Sequence, residues 1–243
     1  MELTAIVTSP PSSGPVWLGD FGDGTLSQYR GLQAGDPSRC QILSDTPPPG
    51  LKYYARLTAL NGDVLGVGNS PTTNPRCQLL GPTVLMPGET LTISGWTRFP
   101  VDFPTPVNVA GGQFFVAVQL YGPPWILGSP QLALDVNGTN FILSHPSGNI
   151  FQTPLVTGVW LRWRLVVKFS TDPAVGTVQL WYCADGTDNP VLQTLTGGVT
   201  TKTCQTLLTG QTVGVAPNPD NYWSLGLASS IVMDHAGFRI DAA

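Results

Sequence analysis

The nine residues Leu161-Arg162-Trp163-Arg164-Leu165-Val166-Val167-Lys168-Phe169 divide cleanly between two faces. Leu161, Trp163, Leu165, Val167 and Phe169 fall on one, and Arg162, Arg164, Val166 and Lys168 on the other. A period of two belongs to a strand with one buried face. Gly176-Thr177-Val178-Gln179-Leu180-Trp181-Tyr182 follows the turn residues Asp172-Pro173, so the two segments are expected to pair as an antiparallel hairpin. A third strand, Gln113 to Tyr121, is expected to turn Phe114, Val116, Val118 and Leu120 to one side. Gln113, Phe115, Ala117, Gln119 and Tyr121 then occupy the other.

Turn signals separate such runs along the whole chain: Gly22-Asp23-Gly24, Asn61-Gly62-Asp63, Pro87-Gly88, Asn137-Gly138, Asp185-Gly186 and Gly197-Gly198. No long window free of Pro and Gly carries helical periodicity, so helix is expected in under roughly a tenth of the chain. The pattern predicts a single all-β domain, a two-sheet antiparallel β-sandwich of the jelly-roll kind. Its 243 residues suit one such unit and bury enough core to fold without metal or disulfide. Residues 1–20, with Ser9-Pro10-Pro11-Ser12-Ser13-Gly14-Pro15, read as an N-terminal arm or linker, or as a disordered terminus, and residues 21–243 as the jelly roll.

Composition narrows the partners. Charged residues make up 11% of the chain, against about 25% in ordinary globular proteins, and 26 Thr, 28 Gly and 23 Pro fill the gap. So weakly charged a surface fits a subunit of an assembly, a homo-oligomer included. The net charge of −4 argues against nucleic acid as a partner. No apolar run is long enough for membrane insertion. Met1 to Val7 lacks the basic start and apolar length of a secretory signal, so cytoplasmic synthesis is expected. The four cysteines, Cys40, Cys77, Cys183 and Cys204, include no Cys-x-x-Cys and no His at ligand spacing, which leaves disulfides or buried thiols. Cys183 and Cys204 are the pair closest in sequence.

Few residues suit catalysis. The two histidines, His145 and His235, lie in no catalytic phrase, and nucleophile-elbow, phosphate-loop and zinc-protease motifs are absent. Glu occurs only at Glu2 and Glu89, which disfavours a glycosidase carboxylate pair. Sugar rings stack on aromatic faces while amides, acids and guanidinium groups bond their hydroxyls. Trp96 with Arg98, Gln119 with Tyr121, and Trp125 in its Pro- and Gly-rich loop are therefore carbohydrate-binding candidates. The basic face of Arg162, Arg164 and Lys168 is either an attractor of acidic polysaccharide or a solvated exterior. No cofactor is required; if calcium binds, Asp135 and Asp234 are the candidate ligands.

An ordered set of phrases resembles the concanavalin-like polysaccharide lyases, the group of heparin lyase I and the glucuronan lyases. They begin with Asp23-Gly24-Thr25-Leu26-Ser27-Gln28-Tyr29, Arg76-Cys77-Gln78-Leu79 and Gly95-Trp96 leading into Pro100-Val101-Asp102-Phe103-Pro104. Val118-Gln119-Leu120-Tyr121, Gly128 to Val136, Val167 to Asp172 and Gly176 to Tyr182 follow, then Asn221-Tyr222-Trp223 and His235 to Ile240. The resemblance implies a groove that binds a polyuronide, and β-elimination by a tyrosine or histidine base beside groups that neutralise the uronate. Here the family's Arg-x-Glu reads Arg76-Cys77-Gln78, and its Gln-x-His reads Gln119-Leu120-Tyr121. Its Leu-Tyr-Arg reads Leu227-Ala228-Ser229, so two proton-transfer positions are lost. The expectation is a scaffold that no longer cleaves, with glycan affinity left to Arg76, Gln119, Tyr121 and Trp125. If lyase activity remained, Tyr121 would be the base, with Arg76 and Gln119 beside it. The chain is also similar to lectin-like minor tail proteins of actinobacterial phages, which implies a virion location, neighbouring tail subunits as partners and host-surface glycan as a ligand.

Overall fold

The computed structural model describes residues 15–63, 74–82, 88–121, 130–210, 216–224 and 226–243. Among them helix is confined to two three-residue 3-10 turns, Pro37–Arg39 and Val109–Gly111. The strands are β1 (Trp17–Gly19), β2 (Gly31–Ala34), β3 (Cys40–Leu43), β4 (Tyr54–Leu60), β5 (Arg76–Leu80), β6 (Thr90–Arg98), β7 (Phe115–Tyr121) and β8 (Leu132–Asn137). They continue as β9 (Asn140–Ser144), β10 (Phe151–Pro154), β11 (Trp160–Lys168), β12 (Thr177–Cys183), β13 (Val191–Leu192), β14 (Lys202–Thr203), β15 (Ala216–Trp223) and β16 (Ser230–Ala242).

Two antiparallel sheets face each other as a sandwich. One runs β13-β12-β11-β6-β16-β4-β3, with β1 added to β16 and β14 to β12; the other runs β10-β9-β8-β7-β15-β5-β2. The strand expected from alternation is β11, whose Leu161, Trp163, Leu165 and Val167 are buried between the sheets. Its hairpin partner is β12, with Leu165 opposite Leu180 and Val167 opposite Val178. Asn137 pairs with Asn140 around a two-residue turn in which Gly138 has φ 61°, the left-handed geometry that Asn-Gly favours. Within the former arm, Trp17 to Gly19 pair with Ile240 to Phe238 on β16, while residues 1–14 lie outside the described residues.

Strict alternation fails in β7. Its pairing with β8 slips between Val116 and Val118, so Ala117 and Val118 are both buried and the phase of the strand reverses. Phe115 rather than Phe114 enters the core, while Phe114 and Val116 face outward. A β-bulge of this sort turns side chains locally, and its place depends on the neighbouring strands rather than on the segment itself.

Cys183 and Cys204 are not bridged, and all four cysteines are free thiols. The Cys204 N–H bonds the carbonyl of Gly176, just before β12, whereas Cys183 ends that strand. Seven residues of extended chain separate the two positions by roughly 20 Å, far beyond the reach of a disulfide. Burial pushes the Cys40 thiol up to about 12 and raises that of Cys77 as well, so both behave as apolar core groups.

A polar chain crosses the otherwise apolar core. The Trp163 indole N–H donates to the Thr97 hydroxyl (3.2 Å), which lies 3.2 Å from His235 Nδ1. His235 Nε2 in turn lies 2.9 Å from the carbonyl of Asp220 on the opposite sheet. Burial depresses the imidazole to about 4, so it is neutral, and its carbonyl partner fixes the proton on Nε2. Beside it, Asn221 Nδ2 donates to the carbonyls of Leu57 (2.9 Å) and Ile231 (2.8 Å), also across the gap. These bonds hold β15 against β4 and β16.

Gly95 lies beneath the Trp163 ring, where an added Cβ would meet Trp163 at 2.6 Å and Phe238 at 3.1 Å. Gly95→Ala is expected to overpack this layer and lower stability by about 1–3 kcal/mol, read as a drop in the urea midpoint at unchanged slope.

Candidate functional site

The outer face of the seven-stranded sheet gathers the groups the sequence singled out on β5 and β7. Arg76 pairs across strands with Tyr222, and its guanidinium lies 3.7 Å from the centre of that ring. Arg76 Nη1 also donates to Gln33 Oε1 (3.4 Å). Gln119 stands opposite Asn218 and Ala133, and its amide donates to the Asp220 carboxyl. Asn218 Nδ2 reaches the Tyr121 carbonyl (3.2 Å), tying that end of β7 to β15. Phe114 packs edge-on to Tyr222 at 4.8 Å. Beside these groups opens a cavity of about 430 Å³ whose lining includes Phe114, Gln119, Asp135, Ser144, His145 and Tyr222.

Two carboxyls lie here, Asp135 in the cavity lining and the fully buried Asp220 behind Gln119. Asp135 accepts from the Ser144 hydroxyl and Asp220 from Gln119, and each keeps a buried Oδ1 with no partner among the described residues. Burial raises Asp135 to about 7, against the bond from Ser144. Burial likewise raises Asp220 to about 7, against the opposing pull of Arg76 and the Gln119 bond. Near neutrality much of this pair is therefore protonated, and this part of the sheet carries far less negative charge than two free carboxylates would.

Neither Tyr121 nor His145 offers a ready proton acceptor here. Burial raises the Tyr121 phenol above its ordinary value of about 10, and the nearby Arg76 only partly opposes this. His145 has both ring nitrogens engaged: Nδ1 lies 2.7 Å from Ser147 Oγ and accepts the Ser147 N–H, and Nε2 lies 2.9 Å from the Gln205 carbonyl. That pattern fixes the tautomer with the proton on Nε2 and leaves no free lone pair. Asp220 is fully buried, with its backbone held by His235.

The remaining candidates lie elsewhere. Trp96 and Arg98 belong to β6, on the outer face of the nine-stranded sheet and away from the cavity. Trp96 is 3% exposed, packed in a small cluster with Tyr54, Trp160 and Ala236, and the Arg162 guanidinium lies 5.2 Å from its ring. Arg98 pairs with Asp234 at 2.7 Å and lies 4.6 Å from the Trp160 ring. Trp125 falls outside the described residues. On the basic face, Arg162 pairs with Asp188 and Arg164 covers Trp181. Asp135 and Asp234, the calcium candidates, sit on different sheets, and Asp234 is taken by Arg56 and Arg98. Among the described residues no three His, Cys, Asp or Glu side chains converge as a metal site.

Sequence reasoning passed over Phe114, Ser144, Asp220 and Tyr222 as site residues. Alternation along Asp220-Asn221-Tyr222-Trp223 carried a usable signal, since Asn221 and Trp223 point inward and therefore Asp220 and Tyr222 outward.

No protein-family model matches the chain, and no curated protein matches it in sequence. Solved structures do match in fold. An endo-β-1,4-glucuronan lyase from Trichoderma reesei superposes with a TM-score of 0.66 at 11% identity, over 95% of this chain and 96% of that one. A GH131 β-glucanase catalytic domain from Podospora anserina gives 0.65 at 14% identity, over 95% and 97%. An alginate lyase of polysaccharide lyase family 7 gives 0.53 at 8% identity, over 86% and 84%. The chain shares the concanavalin-like sandwich of these enzymes.

The raised carboxyls have a thermodynamic signature. Between pH about 4 and 7 Asp135 and Asp220 hold their protons folded and lose them unfolded, so their contribution to stability falls as pH rises and levels off above 7. His235 acts in the opposite sense, because it gains its proton only on unfolding between pH about 6.5 and 4. Asp135→Asn and Asp220→Asn are each expected to gain stability relative to wild type as pH is raised from 4 to 8, measured by urea denaturation across that range.

Proposed function

We propose that the chain is a non-catalytic glycan-binding jelly roll carried on a virion, with the cavity on the seven-stranded sheet as its sugar site. The observation that carries this reading is the Arg76–Tyr222 stack beside Phe114 and Gln119. An aromatic wall, a cation and polar groups at one opening are what sugar recognition requires. Two enzymes that share the fold are named for acidic polysaccharides, glucuronan and alginate, which is consistent with a carbohydrate ligand.

β-Elimination is the alternative, and the state of its expected base, Tyr121, opposes it. The reaction needs a base whose pKa approaches the working pH, whereas burial moves Tyr121 further from it. Ser229 stands where the resemblance expects an arginine that would lower it. The finer assignment, a minor tail protein held by its N-terminal arm among other tail subunits, is supported by the low charge and the resemblance to tail lectins.

Tyr222→Ala is expected to weaken binding to an immobilised acidic glycan by roughly tenfold, with no unsaturated product absorbing in the ultraviolet from either protein. Accumulation of that product, abolished by Tyr121→Phe, would replace the binding reading with the lyase one. Mass spectrometry of purified particles from the source organism should detect this polypeptide, and its absence would sink the virion assignment.

A further inference from the structure

We propose that a second cavity, built around Lys202, continues the sugar site past His145 and receives an anionic substituent of the same oligosaccharide. This inference rests on the reading of the first cavity as a glycan site. The second has a volume of about 610 Å³, and its lining includes His145, Asn149, Thr196, Lys202, Thr203 and Gln205. His145 lines both cavities, so its ring is the partition between them. That partition is rigid, held at Ser147 on one nitrogen and at Gln205 on the other.

The walls come from both sheets. Ser147 to Ile150 join β9 to β10 in the seven-stranded sheet, while Thr196 to Gln205 surround β14 of the nine-stranded sheet. Two bonds fasten the walls together, Thr196 N–H to the Ile150 carbonyl and Thr196 Oγ1 to the Asn149 carbonyl, each 2.8 Å.

Charge defines the ligand. The chain contains only three lysines, and one of them is placed here. The Lys202 ammonium donates to the Thr196 carbonyl at 3.4 Å, and neither Asp nor Glu is among the described residues of the lining. An ammonium in a polar, carboxylate-free hollow suits a carboxylate or sulfate on a sugar. Arg76 lies against Tyr222, a lining residue of the first cavity, so a cation stands near each of the two cavities. The ligand class is an anionic oligosaccharide long enough to pass His145.

Titration calorimetry with wild type and Lys202→Gln tests this, using digalacturonate, hexagalacturonate, a chondroitin sulfate hexasaccharide and neutral cellohexaose. Lys202→Gln should weaken binding of a charged hexamer by roughly tenfold and leave the dimer unchanged, because only the hexamer reaches Lys202. Whichever charged hexamer shows this loss identifies carboxylate or sulfate as the anion. Equal affinity of wild type and Lys202→Gln for every hexamer that binds would overturn the second subsite and leave the first cavity standing. Failure of all four probes to bind wild type would overturn both. Lys202 is half-buried at a two-residue edge strand, so an unchanged melting midpoint in Lys202→Gln confirms that the comparison reads binding.

Discussion

A neutral imidazole between two sheets fixes the geometry on which the site depends. His235 spans from Thr97 on its own sheet to the Asp220 carbonyl on the other, and Asn221 adds two more bonds across the same gap. A buried polar group is costly unless satisfied, so this chain of bonds permits little sliding of β15 over the core. The pairing of β15 with β7 slips between Pro219 and Tyr222, at the residues these bonds hold. Asp220 and Tyr222 consequently face outward beside Gln119 and Arg76, while Asn221 and Trp223 face in.

The outer surface built on that anchor gathers aromatic and polar side chains around one cavity. Its carboxyls are raised by burial, its phenol is raised by burial, and its histidine is committed on both nitrogens. Removing water from titratable groups without supplying opposite charge favours their neutral forms. The neutral forms donate as well as accept hydrogen bonds, which suits contact with sugar hydroxyls.

Sequence revealed those parts of the fold that local pattern governs. The β11–β12 hairpin and the Asn137-Gly138 turn follow from alternation and from glycine's access to positive φ. The phase of β7 does not, because its slip is set by β8, a separate strand. The order of phrases drew Arg76, Gln119 and Tyr121 into one group, and the structure places them in one sheet, on the strands β5 and β7 that flank β15. Trp96 and Arg98 share a face of β6 as alternation implies, but no local pattern says which sheet a strand joins, and theirs is the opposite one. Asp135 and Asp220 were invisible as a pair because they sit on β8 and β15, on either side of β7, whose pairing with each is shifted in register.

The most direct test of the account is nuclear magnetic resonance of the isotope-labelled protein titrated with an acidic oligosaccharide, with the sugar's own spectrum followed in the same tube. The account predicts shifts at Gln119 Nε2, Ser144 and Tyr222, silence at Trp96 and Trp160, and a sugar of unchanged length. Shifts centred on Trp96 and Arg98, or the appearance of unsaturated fragments, would contradict it.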